Sequence, residues 1–179
     1  MQPFGDSPLD EEDVAESLLL SLFQKAVRSI YIMTPYLILD DKITGALQTA
    51  AKSGVDVRII TPHVPDKGYV HAVTRAHYET LTAAGVRIYE YTPGFIHSKV
   101  YLVDDRYAVV GTVNLDFRSL YLHYENAVYL FDAPAVAEIS EDFRQTFPKC
   151  EEITLRKSRR TNVFQRLLRT FLRMFSPLL

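Results

Sequence analysis

The segment HSKVYLVDDRYAVVGTVNLD carries a histidine and a lysine two residues apart, His97 and Lys99, followed by Asp104, Gly111, Thr112 and Asn114. It reads as a strand over 97–105, where side chains at i and i+2 share a face, so His97 and Lys99 project together. A neutral imidazole can attack phosphorus. A lysine ammonium and an asparagine amide can hold the charge that develops on the nonbridging oxygens. This is the equipment of phosphodiester transfer without a metal. Glu125 opens a later strand, where a carboxylate could accept the other ring N–H of His97, fixing its tautomer and raising its basicity.

The His–Lys–Asp spacing alone arises by chance in roughly one protein of this length in fifty. Adding Gly111, Thr112, Asn114 and Glu125 at fixed spacings makes coincidence remote. No other histidine, at 63, 71, 77 or 123, has a lysine two residues later. Lys99 between apolar strand residues is odd for a structural role, because lysine is almost never buried unpaired. Asp104, by contrast, also suits a turn. Tyr36 and Phe95 stand near strand ends and read as packing, and His123 as incidental.

The elements that position these residues follow from periodicity and punctuation. The opening residues, with Pro3, Gly5 and Pro8, read as a polar loop, and DEEDVAESLLLSLFQKAVRS as a helix with acids in its first turn. SIYIMT reads as a strand, PYLILDD as a loop and DKITGALQTAAKSG as a helix stopped by Gly54. VDVRIITP is a strand, residues 69–84 a helix closed by Gly85, and VRIYEY a strand. This alternation implies a mainly parallel, helix-covered sheet. The rhythm then changes: HSKVYLVDD and RYAVVGT form a hairpin broken at Asp104–Arg106. NLDFRSLYL is a loop or short helix, ENAVYLFD a strand and 133–147 an amphipathic helix. RKSRRTN leads to a last helical stretch, VFQRLLRTFLRMF.

Composition bounds the function classes. The chain has 179 residues, 47% apolar and 23% charged, which suits one domain with a real core. A net charge of −2 excludes a polycation that coats nucleic acid, and no basic, aromatic-studded groove stands out before the C-terminal tail. Cys150 is the single cysteine, so neither an intrachain disulfide nor a thiolate zinc site is available. No apolar run approaches a membrane span, and the N-terminus lacks the pattern of a signal peptide. The expectation is a soluble or membrane-attached chain. Phe164, Leu167, Leu168, Phe171, Leu172 and Phe175 fall at helical spacing, with Arg166, Arg169 and Arg173 elsewhere on the barrel. Such a helix either docks on protein or lies in an anionic membrane interface.

IHSKVYLVDD and VGTVNLDFRSLYLHYEN resemble the signature of the phospholipase D superfamily. TPYLILDD, GVDVRI, PDKGYV and AGVRIYEY extend the resemblance to bacterial cardiolipin synthases, from about residue 5 to the terminal SPLL. The resemblance implies an α/β fold in one domain, a mixed β-sheet sandwiched by helices. Residues 1–150 would be a phospholipase D-like catalytic half-domain and 151–179 a basic amphipathic C-terminal helix. It implies catalytic roles for His97, Lys99, Asp104, Asn114 and Glu125, with Asp104 supporting the turn. Thr112, Asp116, Arg118 and Ser119 become substrate-pocket or loop-fixing residues. The implied activity is a phosphatidyltransferase making cardiolipin from two phosphatidylglycerols through a phosphohistidine, with no metal or organic cofactor.

The enzymes it resembles carry the motif twice, so this chain would supply one half of a site. A preceding half, or a second copy across a twofold axis, would complete it. By analogy His97 is then the general acid–base, and in a homodimer it serves as nucleophile too. The implied partners are phosphatidylglycerol or another anionic phospholipid, and the cytoplasmic face of a bacterial membrane met peripherally through the C-terminal helix. Two alternatives remain: a homodimeric single-motif phosphodiesterase or nuclease, and a catalytically incomplete fragment acting as an interaction module. Nucleic acid is the less expected partner.

Overall fold

The structure, a computed structural model, describes residues 1–9 and 12–159. Its strands are β1 (Gln2–Asp6), β2 (Ser29–Met33), β3 (Leu37–Ile38), β4 (Asp56–Pro62), β5 (Arg87–Tyr91), β6 (Val100–Val103), β7 (Tyr107–Gly111), β8 (Leu115–Asp116), β9 (Glu125–Phe131) and β10 (Cys150–Ile153). Its helices are α1 (Val14–Lys25), α2 (Asp41–Lys52), α3 (Gly68–Ala83), α4 (Phe117–Tyr121), α5 (Pro134–Thr146) and α6 (Leu155–Ser158). Eight strands make one mixed sheet in the order β1-β9-β7-β6-β2-β4-β5-β10, and β3 pairs with β8 separately. Within the eight-stranded sheet β2, β4 and β5 are mutually parallel, joined through α2 and α3, and the neighbours on both sides are antiparallel.

Strand alternation explains the layers. Ile30 and Ile32 of β2, Val57 and Ile59 of β4 and Tyr101 and Val103 of β6 face one way, against Leu19 and Phe23 of α1, Ile43 and Leu47 of α2 and Tyr78 and Leu81 of α3. The intervening Met33, Ile60 and Leu102 face the other way, against Val136 and Phe143 of α5. Helices therefore cover both faces, as expected.

Four local readings are corrected. The opening segment is not a loop: it pairs antiparallel with β9, and its Asp6 carboxylate accepts from the backbone of Val14 and Ala15, capping α1 from a distance. The loop after β2 contains β3, a two-residue parallel pairing with β8. His97 and Lys99 precede the strand rather than lie within it, since β6 begins at Val100. Finally, β10 extends the sheet from Cys150, across the division drawn at 150, and Arg156 and Lys157 sit in α6. The stretch from Phe164 to Phe175 lies outside the described residues.

Register fixes where chemistry can gather. Met33 is level with Ile60 and Val100, Pro62 with Tyr91, Val100 with Val110, and Gly111 with Ala127. One edge of the sheet therefore collects the ends of β2, β4, β5 and β7 and the starts of β6 and β9. The loops at 34–40, 63–68, 92–99 and 112–124 all leave from it. Ligands of open α/β sheets bind at such carboxyl ends of parallel strands.

Candidate active site

His97 and Lys99 stand at this edge on the loop entering β6. Lys99 Nζ lies 3.0 Å from His97 Nε2 and donates to the His97 carbonyl at 2.8 Å. A lysine ammonium has only donors, so Nε2 is the accepting nitrogen and Nδ1 carries the proton of the neutral ring. Phe95 stacks on the imidazole, with centroids 5.6 Å apart and planes at 29°. Burial, then the Lys99 charge, holds the imidazole below its ordinary pKa, against an opposing pull from Asp66. Burial also lowers Lys99, against the opposing charges of Glu125 and Asp116. An imidazole kept neutral near pH 7 is in the form that attacks phosphorus or takes a proton.

Asn114 is brought beside this edge by the end of β7. Gly111 makes that possible: a Cβ there would sit 2.2 Å from the Asn126 carbonyl oxygen and 2.5 Å from the Ala127 Cα, so only glycine lets β7 run this close to β9. Glu125 Oε1 accepts from Ser119 Oγ at 2.7 Å, and its other oxygen accepts from Thr112 Oγ1. Because a carboxylate only accepts, the Ser119 hydroxyl spends its proton there and its oxygen receives Asn114 Nδ2 at 3.0 Å. The amide is thereby oriented, with one N–H tied and a second left for an incoming oxygen. Its Oδ1 is buried without a donor, an unmet valence suited to a polar ligand.

The short helix α4 carries Arg118 and Ser119 and is pinned at both ends. Asp116 caps it by accepting from Ser119 N at 2.8 Å, and burial raises that carboxyl. The Tyr121 hydroxyl lies between the carboxylates of Glu16 and Asp40, anchoring α4 to α1 and to the cap of α2. Beside α4 opens a cleft of about 260 Å³, lined by Tyr36, Ile38, Lys67, Tyr69, Val70, Asn114, Asp116, Arg118 and His123. A larger hollow of about 500 Å³ between α1 and α2 holds none of the motif residues.

Of the residues expected to work together, His97, Lys99, Asn114, Thr112, Ser119 and Glu125 gather at one edge. Asp104 does not join them. It occupies the hairpin turn at the opposite end of β6, where it and Asp105 both have φ near 55°. Its carboxylate accepts from the backbone of Val27 at 3.0 Å, Arg28 at 2.7 Å and Ser29 at 2.9 Å. Desolvation pushes this carboxyl up, but those donors outweigh it and hold it below its usual range. It is a brace, clamping the hairpin to the start of β2. The expected Glu125–His97 hydrogen bond is also absent, because Glu125 is occupied by Ser119 and Thr112. Among the four substrate-binding expectations, Thr112, Asp116 and Ser119 are committed to internal bonds, and Arg118 alone offers an exposed cation to the cleft.

Lys67, Tyr69, Tyr36 and His123 line the cleft without having been singled out as ligand contacts. Arg118 Nε donates to His123 Nε2 at 3.3 Å, and the Tyr36 hydroxyl donates to Asp66 at 2.6 Å. The signal for them was positional. Each follows the end of a strand at the edge that carries His97. Phe95, expected to pack, does pack, but on the reactive imidazole.

Known proteins are similar to this chain in sequence and in fold. The chain is similar to an uncharacterized protein of Streptococcus mutans, 44% identical over 177 residues, covering 99% of this chain and 38% of that protein. It is similar to cardiolipin synthase 2 of Bacillus anthracis, 36% identical over 179 residues, covering 100% of this chain and 35% of that one. It thus spans a little over a third of the curated relatives it matches. Its fold is similar to the phospholipase D family member Nuc from Salmonella typhimurium, with TM-score 0.70, 23% identity and coverage of 86% of this chain and 99% of that one. It also matches phosphatidylserine synthase of Haemophilus influenzae, with TM-score 0.77, 18% identity and coverage of 99% and 47%. The family model described as "Cardiolipin synthase, PLD-like domain" matches residues 19–147, and the chain belongs to that family.

Proposed function

We propose that this chain supplies one half of a phosphatidyltransferase site that forms cardiolipin from two phosphatidylglycerol molecules. The observation that carries the reading is the His97–Lys99 pair, held neutral-leaning at 3.0 Å beside an amide oriented by Ser119 and Glu125. In the first step a histidine Nε2 attacks the phosphodiester phosphorus. An N–P bond forms, the P–O bond to the headgroup glycerol breaks, and the leaving alkoxide takes a proton from the second half's histidine. In the second step the terminal hydroxyl of another phosphatidylglycerol gives up its proton to that base, attacks phosphorus and displaces the histidine. Lys99 and the free N–H of Asn114 stabilise charge on the nonbridging oxygens in both steps. His97 is the acid–base partner when a different half supplies the nucleophile, and serves in both roles when two copies of this chain pair. The work is expected at the cytoplasmic face of a bacterial membrane.

The test incubates the full chain with labelled phosphatidylglycerol in mixed micelles, alone and across a concentration series that would reveal pairing of copies. Cardiolipin that forms with wild type and is lost with His97→Ala supports the reading. No product at any concentration, while a DNA substrate is cleaved, would overturn it.

A further inference from the structure

Exposed apolar side chains are unevenly distributed over the described residues. Of nine large ones, six stand on the edge that carries His97: Leu9, Val64, Tyr69, Phe95, Leu122 and Tyr124. Five of these, all but Leu9, sit on the loops or helix starts around the cleft, with Tyr124 68% exposed and Tyr69 54%. The opposite edge keeps Val27 and Phe131, the latter half-exposed with one face stacked on Tyr107 and the Arg106 guanidinium against its ring. Soluble proteins rarely gather exposed apolar groups in this way unless something covers them.

Charge on the rim points to the occupant. Lys67 and Arg118 stand among the apolar tips, and neither has an ion-pair partner among the described residues. The nearby acids are occupied: Asp66 accepts from Tyr36, Glu90 is held by Arg75 and His63, and Asp116 caps α4. Glu12 and Asp13 follow β1 on this same edge but at the outermost strand of the sheet, and the charged groups that line the cleft itself are Lys67, Arg118 and the buried Asp116. Free cations among apolar and tyrosine tips match the boundary of an anionic bilayer, where tyrosine places its ring among acyl carbons and its hydroxyl in water. A nucleic-acid track would interleave more cations with rings on which bases stack. Val64 and Leu122 give no such platform.

We infer that this rim is itself a membrane-docking surface: the tips of Tyr69, Phe95, Leu122 and Tyr124 enter the headgroup region of an anionic bilayer, with Lys67 and Arg118 at the level of the phosphates. The inference rests on the proposed lipid substrate, and it gives the cleft a direct route to lipid. A headgroup would then reach His97 without leaving the interface.

The chain contains no tryptophan, so single-tryptophan reporters are clean. Tyr124→Trp and Leu122→Trp place a reporter on the rim, and Val27→Trp places one on the opposite edge. Each full-length variant is mixed with vesicles of equal phosphatidylglycerol and phosphatidylcholine bearing shallow brominated acyl chains. The rim reporters should shift to the blue and lose about half their emission or more, while Val27→Trp does neither. Lys67→Gln should weaken partitioning onto these vesicles about fivefold and leave pure phosphatidylcholine vesicles unaffected. Rim reporters that stay unquenched, whether or not the protein sediments with vesicles, overturn the inference. So does equal quenching of Val27→Trp, or a blue shift produced by a DNA oligonucleotide and not by vesicles. The two readings fail separately. Rim insertion without cardiolipin formation sinks the enzymatic reading and supports this one, whereas cardiolipin made from dispersed lipid by a protein whose rim stays dry does the reverse.

Discussion

The two ends of the β6–β7 hairpin carry residues of the same motif in opposite physical states. At the turn, the Asp104 carboxylate is saturated by backbone donors at 2.7–3.0 Å and held below its usual pKa range. At the open end, His97 and Lys99 are both displaced toward their neutral forms, and Asn114 leaves Oδ1 without a donor. One end stores stability by pairing the Asp104 carboxylate with three backbone donors. The other leaves valences unmet where a ligand can meet them. Sequence spacing alone treats the two as equals.

The strongest way to break this contrast is to exchange the consequences of mutation at the two ends. His97→Ala should lower phosphatidyl transfer by about 10²–10⁴-fold, the usual worth of a positioned acid–base group, more if it is also the nucleophile. Thermal unfolding should barely move, because His97 is exposed on a loop and its ring bonds only Lys99. Asp104→Ala should do the opposite. Stranding three backbone donors costs on the order of 3–5 kcal/mol by chemical denaturation, while activity per folded molecule persists. The pH dependence has a defined sign. The folded pKa of Asp104 lies below its unfolded value, so its contribution is full above about 3.9 and is lost as pH falls through the folded pKa. Asp104→Ala should therefore flatten the acid limb of the stability curve. A variant that loses activity in proportion to His97→Ala, yet unfolds normally, would erase the contrast.

Gly111→Ala tests the link between the two ends. Its Cβ would meet the β9 backbone at 2.2 and 2.5 Å, and no flexible side chain is there to yield. The strands must part, at a cost of about 1–3 kcal/mol or more. Because Thr112 and Glu125 are the residues forced apart, activity should fall with stability rather than independently of it. Measuring both on one preparation checks this.

What the sequence disclosed follows the same division. The β2–β4–β5 core, the hairpin and the helices α1, α2, α3 and α5 were legible because period-2 and period-3.6 apolar patterns report burial directly. The gathering of His97, Lys99 and Asn114 was legible because motif spacing across a tight hairpin leaves few geometries. Residues 2–6 concealed β1, since an edge strand pairing with β9 carries little apolar signal and contains Pro3 and Gly5. The partner of Glu125 is hidden from the sequence for another reason. Whether its carboxylate meets an imidazole or a serine hydroxyl depends on how α4 folds back, and α4 is fixed by Tyr121 meeting Glu16, 105 residues away in sequence. Lys67 and Tyr69 reach the cleft on the β4–α3 connection; the alternation of strand and helix discloses that crossover, but not that its loop packs beside Arg118 of α4.

The smallest effect sharpens the comparison most. Two causes lower the His97 pKa, burial first and the Lys99 charge second. Lys99→Met removes the second and leaves the loop in place, so the imidazole should titrate higher than in wild type while staying below its ordinary 6.5. The sign is set by the physics: taking away a neighbouring cation makes protonation easier, and taking away a hydrogen bond from that cation frees Nε2 to accept a proton. Asp66, which pulls upward, remains in both proteins. Titrating the His97 ring protons by NMR reads this directly and needs no activity, which Lys99→Met will have lost with the oxyanion donor, by about 10²–10³-fold. A return to the full ordinary value would mean that charge alone perturbs His97 and that its burial does nothing. An unchanged value would mean that the 3.0 Å contact carries no electrostatic weight, and the open end of the hairpin would then be as inert as the turn.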